Sequence, residues 1–155
     1  MGKAKEILWL DIGFYDIVVP GIITADYPVL LDMDYPKIKM YSFESVIAEK
    51  FEAIVSFGEL NSRMKDFYDI FVLLSEKKFD RDVLQRAIVE TFKRRGTDIQ
   101  KSDQVFKKEF VEDNNRINQW KLFLKKIGQK NIEFEYVMNV IKKLPLPIYN
   151  KIDEK

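Results

Sequence analysis

Residues 43–57, FESVIAEKFEAIVSF, decide how this chain is read. At about 100° per residue, Phe43, Val46, Ile47, Ala53, Ile54 and Phe57 fall on one side of a helix. Glu44, Ser45, Glu49, Glu52 and Ser56 fall on the other. Lys50 does not join the polar side. It projects between Ile47 and Ile54, near the centre of the apolar arc. A lysine aimed at a core is costly unless an anion meets it or its stem lets the amine reach water. The pattern therefore predicts a cation directed at a carboxylate or at a bound phosphate. An ion pair with Asp66 or Asp69 and a phosphate contact are evenly matched on periodicity alone.

Outward from this helix, everything after Tyr41 reads helical. Ser42 is its N-cap and Gly58 its stop. Asn61 or Ser62 caps a second helix over about 62–76, with Met64, Phe67, Tyr68, Phe71, Val72 and Leu74 inward. Asp80 caps a third over about 81–95, closed by Arg94-Arg95-Gly96 with cations at the negative end of the dipole. Ser102 or Asp103 caps a short fourth. A fifth runs from about 115 to 127 with Trp120, Phe123 and Leu124 buried, and a sixth from about 132 to 144. Pro145 and Pro147 end it, and a charged tail follows.

The first forty residues are different. Residues 6–14, EILWLDIGF, are dense in strand formers, and residues 15–19 form a second extended piece. Pro20, Pro28 and Pro36 then suggest a connector laid across a surface. A strand as apolar as 6–14 needs partners, which another chain or preceding sequence would supply. The expected fold class is α+β, mostly α: a short β remnant followed by a bundle of five or six helices. The expected domains are 1–40, 41–147 and a tail at 148–155.

Composition narrows the chemistry. The chain has 155 residues, 46% of them hydrophobic, enough for one core. Its net charge of +1 carries no global nucleic-acid footprint. Cysteine and histidine are both absent, so disulfides, thiolate nucleophiles, imidazole bases and Cys/His metal sites are excluded. A metal would be a hard ion on oxygen ligands. No apolar run approaches the roughly 20 residues of a membrane span, and a cytoplasmic location is the default.

The carboxylates and cations have ordinary readings. Asp11, set between Leu10 and Ile12, is a metal-ligand candidate or a residue on the solvated face of a sheet. Asp66 and Asp69 share a helix side, opposite the Phe67/Phe71 stripe, where a solvated face is the usual explanation. Lys65 and Asp69 form an i,i+4 pair. Lys93, Arg94 and Arg95 read as a basic helix end. Lys121, Lys125, Lys126 and Lys130, with Trp120 nearby, could form an RNA-facing strip, although solvated lysines on such a helix are commonplace.

Four stretches together carry a family resemblance. LDIGFYDIVVP (10–20), YPVLLD (27–32), YSFESVIAEKFEAIVSFGELNSRMKDFYDIFVLL (41–74) and TFKRRGT (91–97) resemble the AbiEii/AbiGii nucleotidyltransferase toxins. QWKLFLKK, FEYVMNVI and the proline-flanked end extend the resemblance over nearly the whole chain. It implies a polymerase-beta-like enzyme using Mg²⁺ and an NTP, paired with a cognate antitoxin and acting on a protein or RNA acceptor. In that superfamily a glycine turn and an Asp-x-Asp strand precede a third acid, which Asp11 resembles. The turn and the pair are missing here, and Asp32-Met33-Asp34 reads as loop. The chain thus resembles the C-terminal part of a longer enzyme, inactive alone and binding no cofactor by itself. The alternative is a truncated, non-catalytic helical interaction module. The resemblance implies catalytic roles for Lys50, Asp66, Asp69 and Asp11, nucleotide contacts from Lys50, Arg63 and Lys65, and a metal-ligand role for Asp11. An exposed sheet edge makes a homo-oligomer possible.

Overall fold

A computed structural model describes residues 18–144. The expected strand at 6–14, most of the extended piece at 15–19, Asp11, Pro145, Pro147 and the tail lie outside the described residues. The described part opens with an antiparallel hairpin of β1 (Ile22–Asp26) and β2 (Lys37–Tyr41), in register from Ile22 opposite Tyr41 to Asp26 opposite Lys37. This corrects the reading of 20–40 as a connector. Pro20, Pro28 and Pro36 all stand outside the two strands, so no ladder hydrogen bond is lost to them. IITAD is rich in β-branched residues, and KIKMY alternates with the strand period of two.

Seven α-helices follow among the described residues: α1 (Phe43–Phe57), α2 (Met64–Glu76), α3 (Arg81–Arg95), α4 (Ser102–Val105), α5 (Lys108–Val111), α6 (Asn114–Lys126) and α7 (Phe134–Ile141). The caps explain most boundaries. Ser42 Oγ accepts from the Ser45 amide, and the Asp80 side chain accepts from the amides of Asp82 and Val83. Gly96 takes the left-handed conformation that ends α3, where a side chain would be strained. Asp113 caps α6 through the Arg116 amide.

Three helix expectations need correction. The short fourth helix is a 3₁₀ turn at Ile99–Lys101, capped by Asp98, that runs into α4; a separate turn, α5, follows. Ser102 is buried inside this segment rather than capping it. The second helix starts at Met64, because Asn61 Oδ1 accepts from the Arg63 amide and holds 61–63 out of the helix. The sixth spans only Phe134–Ile141.

The helices share one core. α1 packs most extensively on α3 and α2, and α2 packs on α7 and α6. Phe51 meets Phe92 with ring centroids 5.5 Å apart, and Phe67 meets Phe134 edge-on at 5.3 Å. Trp120 is fully enclosed and donates its indole N–H to Ile132 O at 2.6 Å, so its one polar atom is satisfied.

Helix α1 buries a different face from the one its bulky residues suggest. Ile47, Ala48, Phe51, Ile54 and Val55 are enclosed, while Phe57 is exposed. The buried stripe is turned by about 100°, one residue step, from the expected arc. Lys50 therefore stands at the border of the core, not at its centre.

Candidate functional site

That border is where α1 and α2 bring their charges together. Lys50 Nζ lies 2.7 Å from Asp66 Oδ1 and 2.8 Å from Asp69 Oδ2. Arg63 Nε lies 2.9 Å from Asp66 Oδ2, and Lys65 Nζ lies 2.6 Å from Asp69 Oδ2. The result is an alternating row, Arg63–Asp66–Lys50–Asp69–Lys65. Lys50 keeps 23% of its side chain exposed and Asp66 only 3%. Asp66 is thus not on a solvated face. It shares its side of α2 with Ile70, four residues on, which is fully buried.

The row binds its own charges strongly. Burial works against a charged Lys50, yet hydrogen bonds to Asp66 and Asp69 and their negative charges raise its pKa above the ordinary lysine value. Burial likewise works against a charged Asp69. The ammonium groups of Lys50 and Lys65 prevail and hold its carboxyl below the usual range. Asp66 Oδ2 stays without a hydrogen bond, because Arg63 approaches it in ion-pair range but off the hydrogen-bond axis.

Two clefts meet at this row. The smaller, of about 220 Å³, is lined by Val46, Glu49, Lys50, Ala53, Arg63, Asp66 and Arg95. The larger, of about 730 Å³, continues from Lys50, Arg63, Lys65 and Asp66 to Gln119, Leu122, Phe123 and Lys126 on α6 and to Ile127 at its end. Lys50, Arg63 and Asp66 are common to both. One end of the larger cleft is ionic, and its α6 wall is apolar with one amide and one ammonium.

The described donor set does not fit Mg²⁺. Asp66 and Asp69 are met by three cationic nitrogens at 2.6–2.9 Å, and a divalent ion there would be set against Lys50. No cluster of three or more acids forms a metal site among the described residues. Three cations against two carboxylates instead leave a positive surplus, which suits an anionic ligand.

The structure thus joins Lys50, Asp66, Asp69, Arg63 and Lys65, and says nothing of Asp11, which lies outside the described residues. Arg95 is more than a basic helix end. Its Nη1 lies 2.6 Å from Glu52 Oε2, and Thr97 Oγ1 donates to Glu52 Oε1 at 2.5 Å. Glu52 is buried, not on a polar face. Lys126 alone of the α6 lysines named above lines the larger cleft.

Arg116 is a buried residue that the sequence reading passed over. Its guanidinium donates to three backbone carbonyls, Asn61 O at 2.8 Å and Glu59 O and Phe110 O at 3.2 Å each. It also lies 3.7 Å from the Phe110 ring. Burial lowers its pKa, opposed by the charges of Asp113 and Glu59. The available signal was its place four residues before Trp120, on the same side of α6.

The chain is therefore an α+β protein, mostly helical, with an ion-paired row set between two helix-built clefts. It matches the family described as nucleotidyl transferase AbiEii toxin, type IV TA system, over residues 1–140, and it belongs to that family. Membership gives it a nucleotidyltransferase-type role on the toxin side of a toxin–antitoxin system. No curated protein and no solved structure matches it. No described helix is long and apolar enough to cross a membrane.

Proposed function

We propose that the larger cleft binds a nucleoside triphosphate, with Lys50, Arg63 and Lys65 against its phosphates. One observation carries this reading: Lys50 is held half-buried between two carboxylates at the ionic end of a cleft large enough for a nucleotide. The two acids keep the ammonium charged and aimed, so it meets a phosphate without reorganising. The activity served is transfer of a nucleotide to an RNA or protein acceptor in the cytoplasm, countered by a cognate antitoxin.

Phosphoryl-type transfer of this kind rests on metal-held positioning and charge neutralisation. Asp66 and Asp69 are committed to lysines and would not supply the metal ligands. The sequence has no glycine turn followed by Asp-x-Asp. We therefore propose, against the expectation that it binds no cofactor by itself, that this chain alone binds nucleotide without turning it over. Calorimetry with each NTP, combined with a label-transfer assay, tests both halves. Binding lost in Lys50→Met and no transfer support the reading; transfer by the chain alone contradicts it.

A second reading is a non-catalytic interaction module. It is favoured by the loop between β1 and β2, where Tyr27, Leu30, Leu31, Met33 and Tyr35 are all exposed. Full stability and nucleotide silence, with binding to a partner lost on Leu30→Asp/Leu31→Asp, would support it.

A further inference from the structure

Helix α2 starts without a side-chain cap, yet it carries the acidic half of the row. Its N-cap is Arg63, at φ −82° and ψ 68°. What fixes this start lies outside the helix. The Arg63 amide donates to Asn61 Oδ1 at 2.8 Å. Asn61 is buried, and its backbone carbonyl accepts from Arg116 Nη1 at 2.8 Å. The same guanidinium takes Glu59 O, two residues earlier, and so holds two points of the segment between α1 and α2.

We propose that Arg116 is a positioning residue for the nucleotide site, acting through Asn61 on Arg63 and thence on Asp66 and Lys50. The links are short and continuous. Arg116 holds Asn61, Asn61 holds the Arg63 backbone, Arg63 Nε faces Asp66 Oδ2 at 2.9 Å, and Asp66 Oδ1 holds Lys50 at 2.7 Å.

Stability alone explains this arrangement poorly. The buried Arg116 gives up its hydration for three backbone carbonyls and the Phe110 ring, and the charges of Asp113 and Glu59 offset only part of that cost, since its pKa is still lowered. Asn61 Nδ2 is buried without a partner, so the side chain is held in an orientation that favours its oxygen over its nitrogen. Both costs are understandable if the product is a fixed Arg63. Phe110 reinforces the geometry, since its ring lies under Arg116 and also faces Phe67 of α2 at 6.4 Å.

The inference rests on the reading of this cleft as a nucleotide site, and its test separates the two. The full chain is titrated with ATP by calorimetry as wild type, Arg116→Met, Arg116→Lys, Asn61→Ala, Asn61→Ala/Arg116→Met and Phe92→Leu. The Lys50 ammonium ¹⁵N resonance is recorded for each. Phe92→Leu loosens the core at the Phe51 contact between α1 and α3, outside the hydrogen-bonded relay, and controls for lost stability. The expected result is at least a tenfold rise in Kd for Arg116→Met and for Asn61→Ala, with the double variant no worse than the poorer single. Arg116→Lys recovers part of the loss, and Phe92→Leu keeps the wild-type Kd at a lower Tm.

An unchanged Kd in folded Arg116→Met, or losses that simply add in the double variant, overturns the relay. If Arg116→Met does not fold, Arg116→Lys and Asn61→Ala decide by the same criteria. If wild type does not bind ATP, the nucleotide reading fails. The relay then stands or falls on the Lys50 resonance, which should move in Arg116→Met and Asn61→Ala but not in Phe92→Leu. An unmoved resonance overturns it.

Discussion

Lys50 and Asp66, sixteen residues apart on separate helices, meet at 2.7 Å with the carboxylate almost entirely enclosed. The contact ties α1 to α2 at the point where the two clefts join. It also makes each charge dependent on the other.

Lys50→Met should therefore destabilise the fold, by about 1–3 kcal/mol. The broken pair leaves the buried Asp66 with Arg63 alone, and that remaining contact and the partial exposure of Lys50 reduce the cost. Adding Asp66→Asn should recover part of the loss, because the under-compensated buried charge is then gone. Urea melts of the two variants check this. A double variant as weak as the single would mean that the loss comes from packing of the lysine stem.

The same row predicts a pH profile. Asp69 has a depressed pKa, so its contribution is present above the unfolded value of about 4 and is lost as pH falls through the lower folded value. Lys50 has a raised pKa, so its contribution is present below the unfolded value of about 10.4 and is lost as pH rises through the higher folded value. Stability from this row should be level between about pH 5 and pH 9. Asp69→Asn should flatten the acid limb in pH-dependent thermal melts, and an acid limb as steep as wild type would contradict the assignment.

Arg95→Met tests the second buried pair. Glu52 would keep only the Thr97 hydroxyl, and the cost should be about 1–3 kcal/mol. Glu52→Gln in the same background should restore part of it. Chemical denaturation reads both, and an Arg95→Met variant as stable as wild type would show that the pair contributes nothing.

The exposed loop should behave oppositely. Leu30→Asp/Leu31→Asp removes no contact with the described core, so stability should stay within about 0.5 kcal/mol of wild type. A cooperative loss in thermal melts would show that these leucines are covered in solution.

The helices were legible because their caps are local. Ser42, Asp80 and Gly96 act within a few residues of themselves and stand where the sequence places them. The hairpin was not, because three prolines in 20–40 argue against regular structure, while β1 fits between Pro20 and Pro28 and β2 begins just after Pro36. The pairing of Lys50 with Asp66 and Asp69 was legible, but the burial of the row was not. Helical periodicity gave Lys50 a central place on the apolar face, and packing against α3 turned that face away. Glu52 and Arg116 were hidden for a related reason. Each is a charged residue on a buried side, and what makes that tolerable is a partner more than 40 residues distant.

The row of Lys50, Asp66 and Asp69 is proposed to receive nucleotide phosphate. A ¹⁵N–¹H titration of the full chain with ATP tests it most directly. Shifts should concentrate at Lys50, Arg63, Lys65 and Lys126 and vanish in Lys50→Met. Shifts confined to Lys121, Lys125 and Lys130, or none at millimolar ATP in a folded sample, would contradict it.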